Sequence, residues 1–370
     1  MIPHPADRAA VVRGTGSELD ALVPEWTALA QACGRTFYSR PWYSLAWWSE
    51  SGRGELAVCC VRRGGRLVAL APLHRRRLAG QHVLRLLGHG LGTIGEVLAA
   101  DAAAAASLWD AVADEAATVQ LKHVRPSDTA ILALRRHPRW HQHIEIDDRC
   151  PLLHLPPGTT AREIRGVRTL RRLASYRTGL DRAGTPFRVE VVDDAEGLNK
   201  RWPDMVRVAA LADAESGRLN LLAPPWQAFT RTLLEREAAN GTLLVFGGMV
   251  GERWMAHEIG FRHGSSTVHW VSRYEPTLAA RSPGHLVREW VVDHHDELGI
   301  DTLDGLLGVN SFKLSWANDG YDVATVTAAT AGLLLSRARI AGIGTLAAAA
   351  RRGSGRIRRI DSGGSTHASS

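Results

Sequence analysis

Cysteine and lysine are scarce in this 370-residue chain, and it contains no long apolar run. The four cysteines lack CxxC spacing, so we expect reduced structural thiols rather than a disulfide framework. The N-terminus lacks the apolar stretch of a signal peptide, and the most apolar late segment, 331–350, carries two arginines. We therefore expect no transmembrane segment and a cytoplasmic location.

Basic residues are concentrated in two segments. The net charge is +7, and only three of the 45 basic residues are lysines. Residues 162–188 carry eight arginines against two acids, and residues 330–370 carry seven against one. The rest of the chain is net acidic, which excludes a protein with a uniformly basic, histone-like surface.

The hydrophobic pattern predicts two related α/β modules in tandem. Length alone favours two domains. The second half alternates in the order β-α-α-β-β-β-α-β-α-β, and the first half repeats a weaker version that includes a helix at 39–50, whose Trp42, Leu45 and Trp48 share a face. The fold class expected is α/β, with mixed, largely antiparallel sheets flanked by helices.

Breaks in composition divide the chain into four parts. We expect an N-terminal module over 1–156, a basic linker helix over 157–185, a C-terminal module over 186–330 and a basic tail over 331–370. In the linker helix, Arg165, Arg168 and Arg172 fall on one stripe. The tail is expected to be partly helical over 331–350, docked on the body or on an anionic surface, then disordered and dispensable for chemistry.

Three motif-like stretches do not carry the chemistry they suggest. Gly90–Gly95 spells GxGxxG but lacks the βαβ context of a dinucleotide site, so a glycine-rich loop is expected. His257-Glu258 is not an HExxH motif, because position 261 is Phe261. Four polar residues at 293–296 are best explained as a solvated helix face, and no metal site is predicted.

Arg281-Ser282-Pro283-Gly284 lies between a β-meander and a helix predicted to begin at Pro283 and end at Gly299. Backbone N–H groups at such a helix start can bind an anion, and Gly284 allows a phosphate to approach closely. The alternative is a plain Ser N-cap followed by Pro in the first turn.

The order of three strands feeding a helix through Arg-x-x-Gly resembles the GCN5-related N-acetyltransferase (GNAT) fold. The pyrophosphate loop of that family reads Arg/Gln-x-x-Gly-x-Gly/Ala; Arg281 and Gly284 match it, and Leu286 departs from it. Over residues 20–328 the chain is similar to the tandem-GNAT, CelD/BcsL-like (BioF2-like) acetyltransferases, relatives of Fem-type aminoacyltransferases. The segments that carry this resemblance are 37–42, 47–48, 162–182, 282–284 and 310–316. It implies two GNAT-like modules joined by the basic helix, the first degenerate and the second catalytic.

Candidate site residues come both from the family resemblance and from the chemistry of the residues themselves. The resemblance implies that Arg281, Ser282 and Gly284 bind donor phosphate and that Phe312 and Lys313 lie near the transfer site. Lys313 is also the only lysine in the last 170 residues and could stabilise an oxyanion; the alternative is a surface lysine over Trp316.

Amide formation also needs a proton acceptor and an acid. His257 and Glu258 are on opposite faces of the central meander strand, so one should face the cleft; either could be the base, with Tyr274 as the acid to the leaving group. His269 lies with Tyr274 on the next strand, and both His257 and His269 could instead be hydrogen-bonded core residues.

The expected function is transfer of an acyl group from acyl-CoA, used as a co-substrate with no bound cofactor, to a small-molecule amine. The first alternative is aminoacyl-tRNA-dependent transfer of the Fem type, for which the basic linker helix would contact tRNA. The second is a catalytically silent interaction module. The basic tail could in each case contact acidic lipid or nucleic acid.

Overall fold

Thirteen strands form one continuous sheet in the computed structural model, which describes residues 7–78, 80–330 and 335–343. The first half of the chain supplies seven strands and four α-helices. The strands are β1 (Asp7–Arg13), β2 (Glu55–Arg63), β3 (Arg66–Leu78), β4 (Gln81–Leu86), β5 (Leu98–Ala99), β6 (Thr118–Val124) and β7 (Trp140–His154). The helices are α1 (Ser17–Ala32), α2 (Pro41–Ser51), α3 (Ala102–Glu115) and α4 (Thr129–Arg136).

The second half supplies the remaining elements. Its strands are β8 (Phe187–Val192), β9 (Leu243–Val250), β10 (Arg253–His263), β11 (Ser266–Tyr274), β12 (Thr302–Asp304) and β13 (Asp319–Thr330). Its helices are α5 (Ala161–Ile164), α6 (Val167–Arg182), α7 (Ala195–Ser216), α8 (Gln227–Ala239), α9 (Pro283–Asp293) and α10 (Ser311–Leu314). Short 3₁₀ turns lie at Phe37–Ser39 and Pro276–Arg281.

The sheet has the same arrangement at each end. Twelve of its strands follow the order β1-β2-β3-β4-β6-β13-β7-β12-β11-β10-β9-β8, and β5 pairs with β3 beside this path. Each end consists of four antiparallel strands, the last three of which form a meander, and the fourth pairs in parallel with a fifth strand, β6 for β4 and β12 for β11. The long strands β7 and β13 pair with each other between the two ends. This mixed, largely antiparallel sheet with flanking helices confirms the predicted α/β class.

The two halves share a hydrophobic core on one face of the sheet. Residues of α1 and α2, such as Trp26 and Tyr43, belong to the same buried cluster as Phe229 of α8 and Phe261 of β10. Phe37 packs against Phe261 with ring centroids 4.0 Å apart. Separate clusters fill the opposite face under α3 in the first half and under α9 in the second. The meander that carries the candidate site is therefore held from both sides.

A buried ion pair also links the halves. Arg40, next to the start of α2, donates to Glu237 of α8 at 3.0 Å, and the indole Nε1 of Trp42 donates to the same carboxylate at 2.8 Å. The Glu237 side chain is fully buried. The motif at 37–42, which carried part of the resemblance, thus builds the contact between the two halves.

Three sequence expectations about helices need correction. The basic linker is not one helix, since extended residues Arg165 and Gly166 separate α5 from α6; Arg165 is therefore outside the helical stripe. By contrast, Trp42, Leu45 and Trp48 of α2 pack together against the shared core as partly buried residues, and Tyr43 and Trp47 are the fully buried aromatic residues of this helix. Ser282 takes the N-cap position of α9 but makes no side-chain capping bond, and α9 ends at Asp293, before Gly299.

The predicted tail falls only partly within the described residues. A helical segment over 335–343 buries Ser336 and Ile343 and exposes Leu335. Residues 331–334 and 344–370, which include the predicted disordered segment, lie outside the described part. Among the helices described, none is both long and apolar enough to cross a bilayer.

Candidate active site

A cavity of about 330 Å³ opens where β11 and β12 diverge. The two strands pair only over Ser266–Val268 and Thr302–Asp304, and β11 then continues to Tyr274 without β12 beside it. The first turns of α9 and the short helix α10 contribute the remaining walls. The lining residues are Arg218, Ala256, His257, Glu258, His269, Trp270, Ser272, Arg273, Tyr274, Gly284, Val287, Arg288, Gly305, Asn310, Phe312 and Lys313.

This cavity brings together most of the residues singled out in the sequence. Six of the eight candidates line it: His257, Glu258, Tyr274, Gly284, Phe312 and Lys313. The other two, Arg281 and Ser282, are not among its lining residues and directly precede Pro283 at the start of α9.

Glu258 belongs to a buried, charged cluster with Arg288 of α9 and His269 of β11. Arg288 donates to Oε2 of Glu258 at 2.9 Å, and His269 Nδ1 lies 2.9 Å from the same oxygen. The other carboxylate oxygen, Oε1, is enclosed and has no hydrogen-bond partner in the structure. Although burial opposes ionisation, Arg288 and His269 lower the Glu258 pKa from 4.5 to about 2. Glu258 is therefore a fixed anion and a poor general base.

His257 faces the opposite side of β10, toward Arg273, which is itself paired with Asp213 of α7 at 2.5 Å. His257 is 1% exposed, and neither ring nitrogen has a hydrogen-bond partner in the structure. Burial, with the nearby charge of Arg273, lowers the His257 pKa from 6.5 to about 3, so the ring is neutral at physiological pH. The sequence predicted that one of the two side chains, His257 or Glu258, would face the cleft. Both line the cavity, because the fork, the gap where β11 and β12 diverge, opens through the sheet.

Lys313 and Phe312 lie on α10, which begins with Asn310 accepting a hydrogen bond from the backbone N–H of Lys313 at 2.9 Å. The Lys313 ammonium donates to the carbonyl oxygen of Leu307, and burial lowers the Lys313 pKa. The cation over the Trp316 ring is Arg165, at 5.1 Å, so the alternative of a surface lysine covering Trp316 does not describe this side chain.

The start of α9 has open space on the Gly284 side. A Cβ built on Gly284 would meet only the edge of Phe312, at 3.7 Å. Ser282 adopts a left-handed conformation (φ 51°), which is uncommon for a residue with a side chain and typical of functional turns. Leu286, which departs from the family loop pattern, is 1% exposed and belongs to the buried interior.

Sequence reasoning missed several residues of the cavity wall. Arg288 follows Gly284 by four positions and so shares its helix face, a relation that could have been noticed in the sequence. His269 was noted only as a residue of the next strand. Arg218, Trp270 and Arg273 gave no local signal, because their place in the wall depends on how α7 and the first half pack.

The equivalent fork in the first half is occupied by the chain itself. β4 and β6 pair only over Leu84–Arg85 and Val119–Gln120, and the GxGxxG loop then lies between them. The backbone N–H of Gly95 donates to the backbone carbonyl oxygen of His123 at 3.0 Å. A Cβ built on Gly95 would come within 2.7 Å of the Leu86 side chain and of the Lys122 carbonyl oxygen. The motif is thus a structural loop, as predicted. Leu91 in it accepts a hydrogen bond from Trp270 at 2.7 Å, bracing the cavity wall.

Comparisons with known proteins agree with this geometry. Residues 167–314 match the family model of the acetyltransferase (GNAT) domain. FemX is 9% identical, with a TM-score of 0.57 over 88% of this chain and 98% of that one. The C-terminal domain of a putative lysylphosphatidylglycerol synthetase from Agrobacterium fabrum is 12% identical, with a TM-score of 0.54 over 87% of this chain and 95% of that one.

A third solved structure, L-PGS from Bacillus licheniformis, is 12% identical, with a TM-score of 0.51 over 87% of this chain and 95% of that one. No curated protein sequence matches this chain. At these identities the structural likenesses establish the fold, and the family match establishes the domain. Residues 167–314 therefore form a GNAT-type acetyltransferase domain, and the chain as a whole shares the fold of FemX and of the other two structures.

Proposed function

We propose that this protein transfers an acyl group from acyl-CoA to the amine of a small molecule, forming an amide, in the cavity between β11 and β12. The observation that carries the proposal is this cavity, which opens in a strand fork beneath the start of α9. The open helix start beside Gly284, with Arg281 next to it, suits the donor phosphates. The fork leads from there to Glu258, His257 and Lys313.

In the proposed reaction the amine nitrogen attacks the thioester carbonyl, the C–N bond forms, and the C–S bond breaks. His257 is the proposed proton acceptor because both of its ring nitrogens are without a partner in the structure, although its lowered pKa makes it a weak base; Glu258 is committed to Arg288. The free Oε1 of Glu258 orients the amine by accepting an N–H hydrogen bond. Lys313 stabilises the oxyanion, and Tyr274, 40% exposed at the cavity, protonates the departing thiolate.

One observation favours aminoacyl-tRNA as a second candidate donor. The exposed arginines Arg168, Arg171 and Arg172 of α6 form no ion pair with any described residue, whereas Arg177 of the same helix pairs with Glu289. Arginines that contact nucleic-acid phosphates make binding steeply salt-dependent. Both donors are cytoplasmic, so the proposal places the protein in the cytoplasm.

A donor comparison tests the proposal. The purified full chain is titrated with acetyl-CoA, with longer acyl-CoAs and with CoA alone, by calorimetry, and then assayed for thiol release with a panel of small amines. Saturable acyl-CoA binding and amine-dependent thiol release support the proposal. Absence of both, together with aminoacyl-tRNA binding that weakens as salt rises, would replace acyl-CoA by aminoacyl-tRNA as the donor. Turnover with either donor rules out a silent interaction module.

A further inference from the structure

One buried arginine in the first half has no counter-charge. Three arginines in the described part are at least nine-tenths buried: Arg40, Arg85 and Arg288. Arg40 pairs with Glu237 and Arg288 pairs with Glu258. Within the part of the chain that the structure describes, Arg85 makes no ion pair and no hydrogen bond, and its Nε is enclosed without an acceptor. Burying a charge without a partner is costly, so this exception needs a cause.

Arg85 lies at the point where β4 and β6 diverge, the first-half counterpart of the fork that holds the candidate active site. It pairs in register with Gln120 of β6 and with His74 of β3. Leu84 belongs to the core under α3, so Arg85 points to the other face of the sheet, the face covered by α2. The site is thus separate from the cavity between β11 and β12.

Basic and aromatic side chains surround this guanidinium. Trp47 of α2 packs on the imidazoles of His74 and His89, with ring centroids 5.6 and 4.9 Å apart. Burial and the charge of Arg85 lower the pKa of both histidines, and burial together with Arg76 lowers the Arg85 pKa to about 10. Arg85 therefore stays protonated at neutral pH, among neighbours that cannot neutralise it.

The hydrogen-bonding groups of the site are also left open. His74 Nδ1 lies 3.2 Å from the Arg53 carbonyl and His89 Nδ1 lies 3.0 Å from the Leu86 carbonyl. Because a carbonyl oxygen only accepts, both Nδ1 atoms carry the proton and both Nε2 atoms are free of it in the neutral rings. His74 Nε2 is enclosed and has no partner in the structure. Each unprotonated Nε2 is an acceptor and can bond only to a protonated oxygen of a ligand, so the donors available to an oxyanion here are those of Arg85.

We propose that this cluster, Arg85 with His74 and His89 beneath Trp47, is a binding site for a small ion bearing a carboxylate or phosphate group. A guanidinium binds either group through two parallel N–H···O bonds. Such an ion supplies the missing counter-charge and accepts hydrogen bonds from the unused N–H groups of Arg85. The first half, whose fork is closed to an acyl donor by the GxGxxG loop, would then retain a ligand site of its own. This inference does not depend on the acyl-transfer proposal.

The test compares Arg85→Met with Arg40→Met in the full chain. Thermal unfolding is followed in rising sodium phosphate and, separately, sodium succinate, with sodium chloride holding the ionic strength constant. We expect the wild-type melting temperature to rise and saturate with at least one ion, and Arg85→Met to lose that response. Without added ion, Arg85→Met should be at least as stable as the wild type, because it removes an unpaired charge. Arg40→Met should be less stable yet keep the response.

The two ions distinguish the sources of the anion: a response to phosphate alone indicates a phosphate-bearing ligand, and one to succinate alone a carboxylate. Arg85→Lys keeps the charge but loses the planar guanidinium, so the fitted affinity for the ion should fall roughly tenfold or more. This variant keeps the proposal testable if Arg85→Met does not fold. Phosphate bound at the start of α9 would persist in both Arg85 variants. A flat wild-type response to both ions, or an equal response in Arg85→Met, overturns the proposal.

Discussion

Arg288 donates two hydrogen bonds to a single oxygen of Glu258, through Nε at 3.2 Å and Nη2 at 2.9 Å, and leaves the second oxygen enclosed without a partner in the structure. The pair joins α9 to β10 inside the cavity. Since the carboxylate is held as an anion, it can accept a hydrogen bond from an amine but has little capacity to remove its proton. The arrangement assigns Glu258 a positioning role beside His257.

Replacing Glu258 by Gln should lower the free energy of unfolding by roughly 3–5 kcal/mol at pH 7, because it leaves Arg288 buried without a counter-charge. The Glu258 pKa is lowered from 4.5 to about 2, so the ion pair stabilises the fold fully above pH 4.5 and is lost as the pH falls toward 2. Urea unfolding should therefore show the difference between wild type and Glu258→Gln shrinking over that range. A difference under 1 kcal/mol at pH 7 would contradict the buried pair.

His257 adds a second pH dependence to the free energy of unfolding, because the folded protein keeps this ring neutral whereas it keeps Glu258 ionised. Its pKa is lowered from 6.5 to about 3, so below pH 6.5 the unfolded chain binds a proton that the folded protein does not. Stability should fall with decreasing pH by about 1.4 kcal/mol per unit from this group. His257→Gln should flatten the slope between pH 6.5 and 5, whereas the exposed-site control His82→Gln should not. Equal slopes in the two variants would show that His257 protonates freely in the folded state.

Gly284→Ala tests the donor site without disturbing the fold. The added methyl group meets only Phe312 at 3.7 Å and improves helix propensity, so stability should not decrease. The methyl group would stand where a donor phosphate approaches the start of α9. Calorimetry should therefore show the acyl-CoA Kd rising at least roughly tenfold, while Gly166→Ala, at another open glycine, leaves it unchanged. An unaltered Kd in Gly284→Ala would place the donor phosphates elsewhere.

The contact between the halves depends on the pair formed by Arg40 and Glu237. Glu237→Gln should cost roughly 3–5 kcal/mol in the free energy of unfolding, because the guanidinium stays buried while its counter-charge is gone. The matched control is Glu235→Gln on the same helix, where the partner is Arg231 on the surface and the loss should be about 0.5 kcal/mol. Chemical denaturation measures both. Similar losses in the two variants would mean that the buried pair contributes no more than a surface one.

Local patterns in the sequence were sufficient to predict the meander and the helix that frame the cavity. Alternating apolar residues and turns marked β9 to β11, and Pro283 marked the start of α9. The same patterns could not show that β13 pairs with β6 and β7, because periodicity identifies a strand but not its neighbour. The end of α9 was placed too late for a related reason: the apolar Leu298 continued the helical spacing after the helix had ended.

The residues of the candidate site could also be predicted only in part from the sequence. Lys313 was noticed because lysine is so rare in this chain, and His257 and Glu258 because of their place on a central strand. Their environments could not be predicted, since the low pKa of Glu258 depends on Arg288, thirty residues later, and on His269 across the strand pair. The contribution of the first half to the cavity wall, through Trp270 and Leu91, depends on a contact 179 residues apart in the chain.

The most direct test of the central claim is the turnover of Lys313→Ala, measured as amine-dependent thiol release from acyl-CoA. If the cavity between β11 and β12 is the transfer site, loss of this charge should reduce turnover at least roughly tenfold, the scale of one charge-stabilising contact. The melting temperature should stay close to that of the wild type, and the exposed-lysine control Lys200→Ala should remain fully active. Undiminished turnover in a folded Lys313→Ala variant would contradict the account and move the reaction out of this cavity.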